Sequence, residues 1–518
     1  MLDQPSLNIS DLISTHAKFR RARTAFVCGE RRVTWETFDK RVSKVAHALL
    51  DGGLKKGDKV ALLTLSNIEA LEIMFGTIRA GGVIVPISAL LQPEMIATLV
   101  EDSGSKFLFV ASPLQALATP ILDSIGSVPE KHRIAVLFED EAYQSYEAFI
   151  APAPETAPAV NLRNEDECNI IYSSGTTGLP KGIVITHQAR SLVALATAVE
   201  YRVDSASTIL VTTPPFTNAT WVILLPSVLA GAVTVLLPSF SPQGFLETVQ
   251  KERATHTLMV PTQYHVVLEL PEFETYDLTS LRIMISVGAL LPLPLKRRIL
   301  EKMGSGLLEL YGLTEGVGTT LKPEDMQGKT GSVGTPIGGT DIRIIDEEGN
   351  ELPAGEVGEI IGYSPIMMKG YLNRPEATAE IIWRDERNRT YIRTGDMGRI
   401  DEDGFLYIMD RKRDMIVSGG LNVFASDIEE VFLLHPEVLD VAVIAVPHDK
   451  WGETPLALVR PRPGAAATED DLRAWANDRL AKHQRVNAVE MRDEDFPRNA
   501  LGKVLKRQLR LPYWPELA

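Results

Sequence analysis

Cysteine is almost missing from this sequence, and long uninterrupted runs of apolar residues are missing as well. The only cysteines among the 518 residues are Cys28 and Cys168, and neither has a neighbour at metal-ligand spacing. A disulfide framework or a zinc site is therefore not supported, and a reducing, cytoplasmic setting is expected. The longest apolar region, 221–237, is interrupted by proline, serine and glycine, so it falls short of the ~20 residues that a membrane span needs. The N-terminus shows no signal-peptide pattern.

An excess of positive charge is also missing. Lysine and arginine number 53 against 68 acidic residues, which gives a net charge of −15. Such a chain is a poor general binder of nucleic acid, because phosphate contacts need lysine and arginine. Any anionic ligand must therefore be met by a local basic cluster. The apolar content of 45% is ordinary for a soluble globular enzyme.

Helix and strand patterns alternate through the first ~400 residues. Apolar residues at helical spacing over 34–50 precede a continuous apolar strand at 60–65, a helix at 68–80 and a strand at 83–86. Strands that are apolar on both faces and alternate with helices predict parallel sheets covered by helices. From about residue 331 to 410 the pattern changes to short strands with turn signals, which predicts a smaller β-rich, barrel-like unit. A short charged break at 410–414 precedes a compact α+β pattern.

The richest motif is the run Tyr172-Ser-Ser-Gly-Thr-Thr-Gly-Leu-Pro-Lys-Gly182, which lies between two apolar strands. Its glycines allow a tight, close approach of backbone to ligand, and its hydroxyls and ammonium suit a polyphosphate. The P-loop pattern is excluded, since that needs Gly-Lys-Ser/Thr opening a helix. A Ser/Gly-rich surface turn is the alternative. The candidate phosphate ligands are Ser173, Ser174, Gly175, Thr176, Thr177, Gly178 and Lys181.

This string resembles the phosphate-binding signature of the adenylate-forming superfamily: acyl- and aryl-CoA synthetases, adenylation domains of peptide synthetases, and firefly-type luciferases. Five further motifs resemble that superfamily and follow in its order as far as residue 503. The resemblance implies an α/β fold in two domains. Residues 1–411 would form an AMP-binding domain of two helix-covered, mainly parallel sheets plus a β-barrel-like subdomain at about 331–410. Residues 412–518 would form a small mobile α+β domain. ATP, Mg²⁺ and coenzyme A are the implied cofactors.

The second motif is Glu309-Leu-Tyr-Gly-Leu-Thr-Glu315, in which a strand runs into a turn. Alone it also suits a strand-end turn with a solvated glutamate. The resemblance implies that the Tyr311 ring lies against adenine, that Thr314 contacts the α-phosphate, and that Glu315 holds Mg²⁺. A single glutamate beside phosphates suffices for magnesium. Glu309 and Gly312 complete the predicted nucleotide set here, and Thr177 is the second predicted metal residue.

Two further motifs resemble the superfamily's adenine and ribose sites. Ser286-Val-Gly-Ala-Leu-Leu-Pro292 resembles its adenine wall, with Gly288 and Ala289 against the ring and Val287 where the first glycine usually stands. The alternative is a strand end shaped by packing. Arg393-Thr-Gly-Asp396 resembles the ribose motif and makes Asp396 the ribose ligand, with Arg411 as a second ribose or phosphate contact. An Asx-type turn is the alternative for Asp396.

The charged break and the C-terminal tail carry the last two motifs. The break at 410–414 resembles the superfamily's hinge, with Arg413 at the hinge position, and the following Ser418-Gly419-Gly420 resembles the loop that lines the pantetheine tunnel. A solvated charged linker is the alternative. Pro497-Arg-Asn-Ala-Leu-Gly-Lys503 resembles the motif of the catalytic lysine, although a lysine in a basic tail is usually a solvated charge. Lys503 would bridge the attacking carboxylate and the α-phosphate, where negative charge develops.

The segment Pro214-Pro-Phe-Thr-Asn-Ala-Thr-Trp221 bears on the acid that is activated. Amino-acid-activating relatives carry aspartate after the phenylalanine, whereas this chain has Thr217, and an unpaired ammonium in a pocket would be costly. Many CoA ligases carry a gating histidine there instead. The stretch 216–228 holds no arginine or lysine, which argues against dicarboxylates. A hydrophobic monocarboxylate, fatty or aromatic, remains. The predicted acid-binding residues are Phe216, Thr217, Trp221, Val287, Gly312, Leu313 and Gly316.

Three functions stay open. The first is an acyl-CoA synthetase that acts on a small-molecule carboxylic acid with ATP and CoA, without nucleic acid or a transmembrane segment, and with a homodimer allowed. The second is a stand-alone enzyme that loads an acid onto carrier-protein pantetheine. The third is a catalytically silent nucleotide-binding regulator, against which the presence of Lys503, Glu315 and Thr177 argues.

Overall fold

The computed structural model describes residues 7–173, 180–419, 421–499 and 502–514. Two mainly parallel sheets dominate the larger part of the chain. The first has nine strands among the described residues, in the order β16-β15-β14-β13-β12-β10-β11-β1-β2. Its strands are β1 (Thr24–Cys28), β2 (Arg31–Thr34), β10 (Thr208–Val211), β11 (Val233–Leu236), β12 (His256–Met259), β13 (Ile283–Val287), β14 (Leu307–Leu313), β15 (Val317–Leu321) and β16 (Thr335–Pro336).

The second sheet has eight strands within the described ranges, in the order β19-β9-β8-β4-β3-β5-β6-β7. Its strands are β3 (Lys59–Leu63), β4 (Val83–Ile87), β5 (Phe107–Ala111), β6 (Arg133–Val136), β7 (Gln144–Ser145), β8 (Glu167–Tyr172), β9 (Gly182–Thr186) and β19 (Gly370–Tyr371). β8 and β9 are antiparallel partners, with Tyr172 opposite Gly182. The two strands predicted on either side of the phosphate motif are therefore confirmed.

Helices cover both faces of the two sheets. They are α1 (Ile9–Phe19), α2 (Trp35–Asp51), α3 (Ile68–Arg79), α4 (Pro93–Ser103), α5 (Gln115–Ala118), α6 (Tyr146–Ile150), α7 (His187–Glu200), α8 (Asn218–Ala230), α9 (Pro242–Glu252), α10 (Pro261–Leu268), α11 (Leu293–Lys302) and α12 (Pro375–Glu380). Three short 3₁₀ turns lie at Thr119–Ser124, Glu130–His132 and Phe273–Thr275. No helix among the described residues is long and apolar enough to span a bilayer.

The main core lies between the two sheets. It joins Phe26 of β1 and Leu62 of β3 to residues of α2, α3 and α8, such as Phe75 and Trp221. Helix α8 is apolar on nearly every side, as expected of a helix enclosed by protein. A serine or threonine hydroxyl or an asparagine amide begins several of these helices, and Thr186, for example, accepts from the Ala189 N–H at the start of α7.

The remainder is antiparallel in character. Five strands form the β-rich unit: β17 (Asp341–Ile345), β18 (Gly358–Tyr363), β20 (Ile382–Arg384), β21 (Thr390–Ile400) and β22 (Leu406–Arg411). A last sheet contains β23 (Ile416–Ser418), β24 (Leu421–Val423), β25 (Val438–His448), β26 (Gly452–Pro461) and β27 (Ala488–Met491), packed with α13 (Ala425–Leu433), α14 (Glu469–Asn477) and α15 (Lys506–Arg510). The predicted α/β class with a small α+β C-terminal domain is confirmed.

Candidate active site

One edge of the nine-stranded sheet collects three of the segments that the sequence marks, together with the unmarked segment 260–262. Strands β14, β13, β12 and β10 are neighbours and run parallel, so their carboxyl ends lie side by side. The segments that leave this edge are 311–313, 287–289, 260–262 and 212–217. In open α/β sheets, ligands bind outside the carboxyl ends of the strands. The predicted adenine and acid-binding residues therefore share a single rim.

A buried carboxylate joins the β-rich unit to this rim. Asp396 of β21 is 3% exposed and accepts a hydrogen bond from the Tyr311 hydroxyl at 2.7 Å. It also forms an ion pair with Arg411, whose Nε lies 2.6 Å from the Asp396 Oδ1. β21 and β22 pair so that Asp396 lies opposite Arg411. Burial and the neighbouring Asp396 raise the pKa of Tyr311, so its hydroxyl remains a donor. The structure thus brings together three residues that the sequence predicts to bind nucleotide.

Lys503 reaches the same cluster from the C-terminal domain. Gly502 has φ +74°, and a Cβ there would lie 2.7 Å from the Thr262 Oγ1 at the start of α10. This close approach seats the tail on the rim. Burial and the adjacent Arg411 lower the pKa of Lys503 to about 8, while Asp396 acts in the opposite direction. Thr262 was not predicted as a site residue, and no local sequence signal marks it.

The turn between β14 and β15 carries Thr314 and Glu315, both half-buried. The Tyr371 hydroxyl donates to the Glu315 Oε1 at 2.7 Å, and the Lys181 Nζ lies 4.9 Å from the centre of the Tyr371 ring. β19, which carries Tyr371, pairs with β9 directly after the phosphate motif. Tyr371 therefore connects the phosphate motif to the predicted metal carboxylate. The sequence reasoning missed this role of Tyr371.

The base of the phosphate motif is closed by its own backbone. The Ser173 N–H donates to the Lys181 carbonyl at 2.9 Å, and the Lys181 N–H donates to the Ser173 Oγ at 3.2 Å. Both residues are half-buried. The predicted phosphate ligands between them lie outside the described residues: Ser174, Gly175, Thr176, Thr177 and Gly178.

The side chains around Glu315 limit the kind of metal ion that the predicted site can hold. The described residues hold no cluster of three or more histidine, cysteine or acidic side chains that could enclose a metal on their own. Glu315 is half-buried, and only its Oε1 accepts from Tyr371. Magnesium is usually held by one or two carboxylates together with substrate phosphates and water. A single carboxylate beside a phosphate motif fits that ion and does not fit a zinc-type cage.

The predicted adenine wall follows β13. Gly288 has φ +91°, a backbone conformation that favours glycine, and Ala289 beside it is exposed. Glu309, predicted to bind nucleotide, is buried and forms an ion pair with Lys296 of α11. Burial raises the pKa of Glu309 to about 7, against the effect of Lys296. Its role toward a nucleotide stays a prediction.

The predicted acid-binding residues come from three loops of the rim. Phe216 and Thr217 are buried, and Trp221 on the first turn of α8 is fully buried. The Thr217 hydroxyl donates to the Pro214 carbonyl at 2.9 Å, so it is engaged within its own turn. Gly312 is exposed, whereas Val287 and Leu313 are half-buried. Gly316 packs against backbone, since a Cβ there would lie 2.3 Å from the Ile366 carbonyl oxygen.

The predicted hinge lies in a turn at 412–414. The Arg413 carbonyl accepts from the Arg510 guanidinium of α15 at 2.9 Å, and the Asp410 carboxylate accepts from the Ala425 N–H at the start of α13 at 2.8 Å. The charged segment 410–414 therefore contacts two helices of the C-terminal domain, α15 and α13.

The predicted thiol loop begins at Ser418, at the end of β23. Gly419 has φ +59°, and a Cβ there would lie 2.7 Å from the Trp451 ring. Gly420 lies outside the described residues. Lys503 lies near Asp396, with which it interacts electrostatically.

Comparison with protein families gives two matches along the chain. The sequence model described as "AMP-binding enzyme" matches residues 13–372, and the one described as "AMP-binding enzyme C-terminal domain" matches residues 427–503. Among curated proteins, a feruloyl-CoA synthase of Amycolatopsis sp is 33% identical over 500 residues, covering 95% of this chain and 97% of the relative. The long-chain-fatty-acid–CoA ligase FadD13 of Mycobacterium tuberculosis is 33% identical, with 93% of each chain covered.

Solved structures of enzymes of the same kind are similar to this chain over nearly its whole length. ATP-bound MatB from Rhodopseudomonas palustris is similar with a TM-score of 0.88 at 28% identity, covering 99% of this chain and 100% of the other. The anthranilate CoA ligase AuaEII in complex with anthranoyl-AMP is similar with a TM-score of 0.90 at 26% identity, covering 99% and 98%.

Proposed function

Because this chain belongs to the AMP-binding enzymes, and is an acid–thiol ligase of the acyl- and aryl-CoA ligase kind, we propose a specific reaction for it. The enzyme activates a hydrophobic monocarboxylic acid, fatty or aromatic, as an acyl adenylate and then transfers the acyl group to coenzyme A. The observation that supports this most is the convergence of Lys503 with Asp396 and Arg411. Lys503 of the C-terminal domain lies there near Asp396, the predicted ribose ligand of the N-terminal domain.

The acid class is inferred from the rim. Phe216 and Trp221 are apolar and buried, and Val287 is half-buried and packs against the core cluster that contains Trp221. Thr217 stands where an amino-acid-activating enzyme needs a carboxylate, and its hydroxyl already donates to a backbone carbonyl. An ammonium group on the substrate would therefore be left unpaired, at a cost of several kcal/mol. A free amino acid is disfavoured for this reason.

In the first half-reaction a carboxylate oxygen attacks the α-phosphorus of ATP. A bond forms between that oxygen and phosphorus, the bond to the β-phosphate oxygen breaks, and pyrophosphate leaves. The chemistry depends on positioning and on neutralising charge. Lys503 would bridge the incoming carboxylate and the α-phosphate, Thr314 would donate to the α-phosphate, and Asp396 would hold the ribose.

Magnesium would be held by Glu315, with Tyr371 fixing the orientation of that carboxylate. When bound, the ion would neutralise charge on the phosphate oxygens. Lys181, close to the Tyr371 ring, would add a positive charge at the leaving group.

In the second half-reaction the thiol of coenzyme A attacks the acyl carbon. A carbon–sulfur bond forms, AMP leaves, and the thiol proton passes to solvent. Lys503 then has to withdraw, since it occupies the rim in the arrangement described here. Rotation about Arg413 would remove it and bring the loop at Ser418 and Gly419 toward the acyl adenylate.

The test is a pyrophosphate-release screen of fatty and aryl acids, run with and without coenzyme A. We expect acid-dependent release of pyrophosphate, and an acyl-CoA product detected by mass spectrometry when coenzyme A is present. Turnover that needs a carrier-protein pantetheine instead of free coenzyme A would favour the loading enzyme. Nucleotide binding without any pyrophosphate release across the panel would contradict the proposal and favour the silent regulator.

A further inference from the structure

Helix α7 buries an arginine against the first turn of α8. Arg190 is 1% exposed, and its guanidinium carbon lies 4.7 Å from the centre of the Trp221 ring. Its Nε donates to the Asn169 Oδ1 at 2.8 Å, and its Nη1 donates to the Asn218 Oδ1 at 2.9 Å. We call these four residues the Arg190 cluster. Among the described residues, no carboxylate forms an ion pair with this guanidinium.

The Arg190 cluster has more hydrogen-bond donors than partners for them among the described residues. The Nη2 of Arg190, the Nδ2 of Asn169 and the Nε1 of Trp221 are buried without a hydrogen-bond partner in the described part of the chain. Each asparagine Oδ1 already accepts from Arg190. An unmet buried donor costs about 1–3 kcal/mol, and more when it is charged. Burial without a counter-charge lowers the pKa of Arg190 to about 10. The three donors therefore need an acceptor that the described residues do not supply.

The cluster lies where a substrate could supply that acceptor. Asn218 and Trp221 directly follow Phe216 and Thr217, which are predicted to line the acid pocket. Asn169 is on β8, the strand that leads into the phosphate motif. The stretch 216–228 contains no cation of its own. Arg190 on α7 brings a cation to this stretch through its contacts with Asn218 and Trp221. A reading of 216–228 alone could not detect it.

The free edge of the guanidinium limits the kind of acceptor. A carboxylate is preferentially bound by two parallel N–H groups of one arginine edge. In Arg190 the edge shared by Nε and Nη2 is part-occupied, because Nε donates to Asn169. One N–H of Nη1 donates to Asn218, and Nη2 is the nitrogen that has no partner among the described residues. Trp221 covers one face of the group. A single neutral oxygen suits this geometry better than a second carboxylate, whose burial would be more costly.

We propose that Arg190 is a specificity-determining residue that donates, through Nη2, to a neutral oxygen on the body of the acid substrate. The substrate class is then a hydrophobic monocarboxylic acid bearing a hydroxyl, methoxy or keto oxygen away from its reacting carboxylate. This inference rests on the proposed function and narrows its substrate.

The experiment compares acids that differ only by one such oxygen. The pairs are cinnamate with 4-hydroxycinnamate, 3-phenylpropanoate with its 4-hydroxy analogue, and decanoate with 10-hydroxydecanoate, with decanedioate as the dicarboxylate arm. The readout is kcat and KM from pyrophosphate release. In the wild-type enzyme the oxygen-bearing member of at least one pair should have a kcat/KM about tenfold higher or more, as expected for a lost hydrogen bond to a charged donor.

Arg190→Met keeps the length of the side chain and removes its donors. It should bring the ratio of kcat/KM within the preferred pair close to one, mainly by raising KM for the oxygen-bearing acid. Arg190→Lys should restore part of the ratio. The matched control is Arg32→Met, at an exposed arginine of β2 that pairs with Glu252 at 2.7 Å. The control should leave the ratio unchanged.

A purely structural role for Arg190 predicts a different result. Arg190→Met would then lower kcat/KM equally for both members of every pair, and that outcome overturns the inference. Equal wild-type kcat/KM within every pair, or a clear preference for decanedioate, overturns it as well. If Arg190→Met does not fold by circular dichroism, the wild-type ratios decide. Failure of the proposed function is recognised separately, because then no acid of the panel releases pyrophosphate.

Discussion

The rate of adenylation should fall with rising pH because of one lysine. Lys503 is half-buried on the rim, and desolvation together with the neighbouring Arg411 and Arg413 lowers its pKa from 10.5 to about 8. Its proposed task, bridging two anions, needs the protonated ammonium. The guanidinium groups beside it stay protonated throughout the accessible pH range. The wild-type enzyme should therefore lose its competent form on the alkaline side of pH 8.

The magnitude of the effect follows from the lowered pKa of Lys503. With a pKa of about 8, roughly half of the free enzyme carries the charged lysine at pH 8 and about a tenth at pH 9. The profile of kcat/KM reports the free enzyme, whereas kcat reports the complex. Because ATP brings negative charge next to the ammonium, the limb in kcat should lie at higher pH than the limb in kcat/KM.

The lowered pKa of Lys503 also affects how the free energy of unfolding depends on pH. The pKa of Lys503 is lower in the folded protein than in the unfolded chain, so between about pH 8 and pH 10.5 the unfolded chain binds more protons. This group therefore makes a contribution to the free energy of unfolding that rises with pH across that window. Loss of activity above pH 8 should not coincide with loss of fold caused by this lysine.

The assay is acid-dependent exchange of label between pyrophosphate and ATP from about pH 6.5 to about pH 9.5, a range in which the acid substrate stays ionised. The matched variant is Lys503→Arg, which keeps a positive charge at every pH tested. It should lose overall rate through changed geometry but show no falling limb near pH 8. A wild-type profile that stays flat to pH 9.5, or an identical limb in Lys503→Arg, would refute the reasoning.

Three further predictions concern parts around the lysine. Tyr371→Phe removes the hydrogen bond to Glu315, so the Mg²⁺ concentration for half-maximal adenylation should rise about fivefold, in line with ~1 kcal/mol; an unchanged Mg²⁺ titration would contradict this. Gly502→Val places a side chain against Thr262 at a φ of +74°, so adenylation should fall by about tenfold or more, while thioester formation from supplied acyl adenylate persists. Arg413→Pro fixes the backbone of the turn and should spare adenylation while blocking thioester formation; unaffected overall turnover would place the hinge elsewhere.

Local patterns predicted the fold class well, because alternation of apolar strands and helices is written into contiguous residues. The helices over Trp35–Asp51 and Ile68–Arg79 and the strands around them match the sequence reading closely. The two strands that flank the phosphate motif, β8 and β9, were also predictable, since an apolar segment lies on each side of the run of glycines and hydroxyls. These features depend on neighbours in the chain.

Contacts between distant segments could not be read in the same way. Tyr371 reaches Glu315, and Thr262 receives Gly502, only because the sheets and the two domains bring them together. Arg190 shows the same limit more sharply. It lies at helical spacing on α7 like any buried residue, and nothing in its local sequence indicates that it meets α8.

The most direct test of the central claim separates the two half-reactions in one variant. Lys503→Ala should abolish acid-dependent formation of acyl adenylate and pyrophosphate, while formation of acyl-CoA from supplied acyl adenylate and coenzyme A continues near the wild-type rate. That result would place Lys503 in the first step only. Equal loss of both half-reactions in a folded Lys503→Ala protein, or retention of both, would contradict the account.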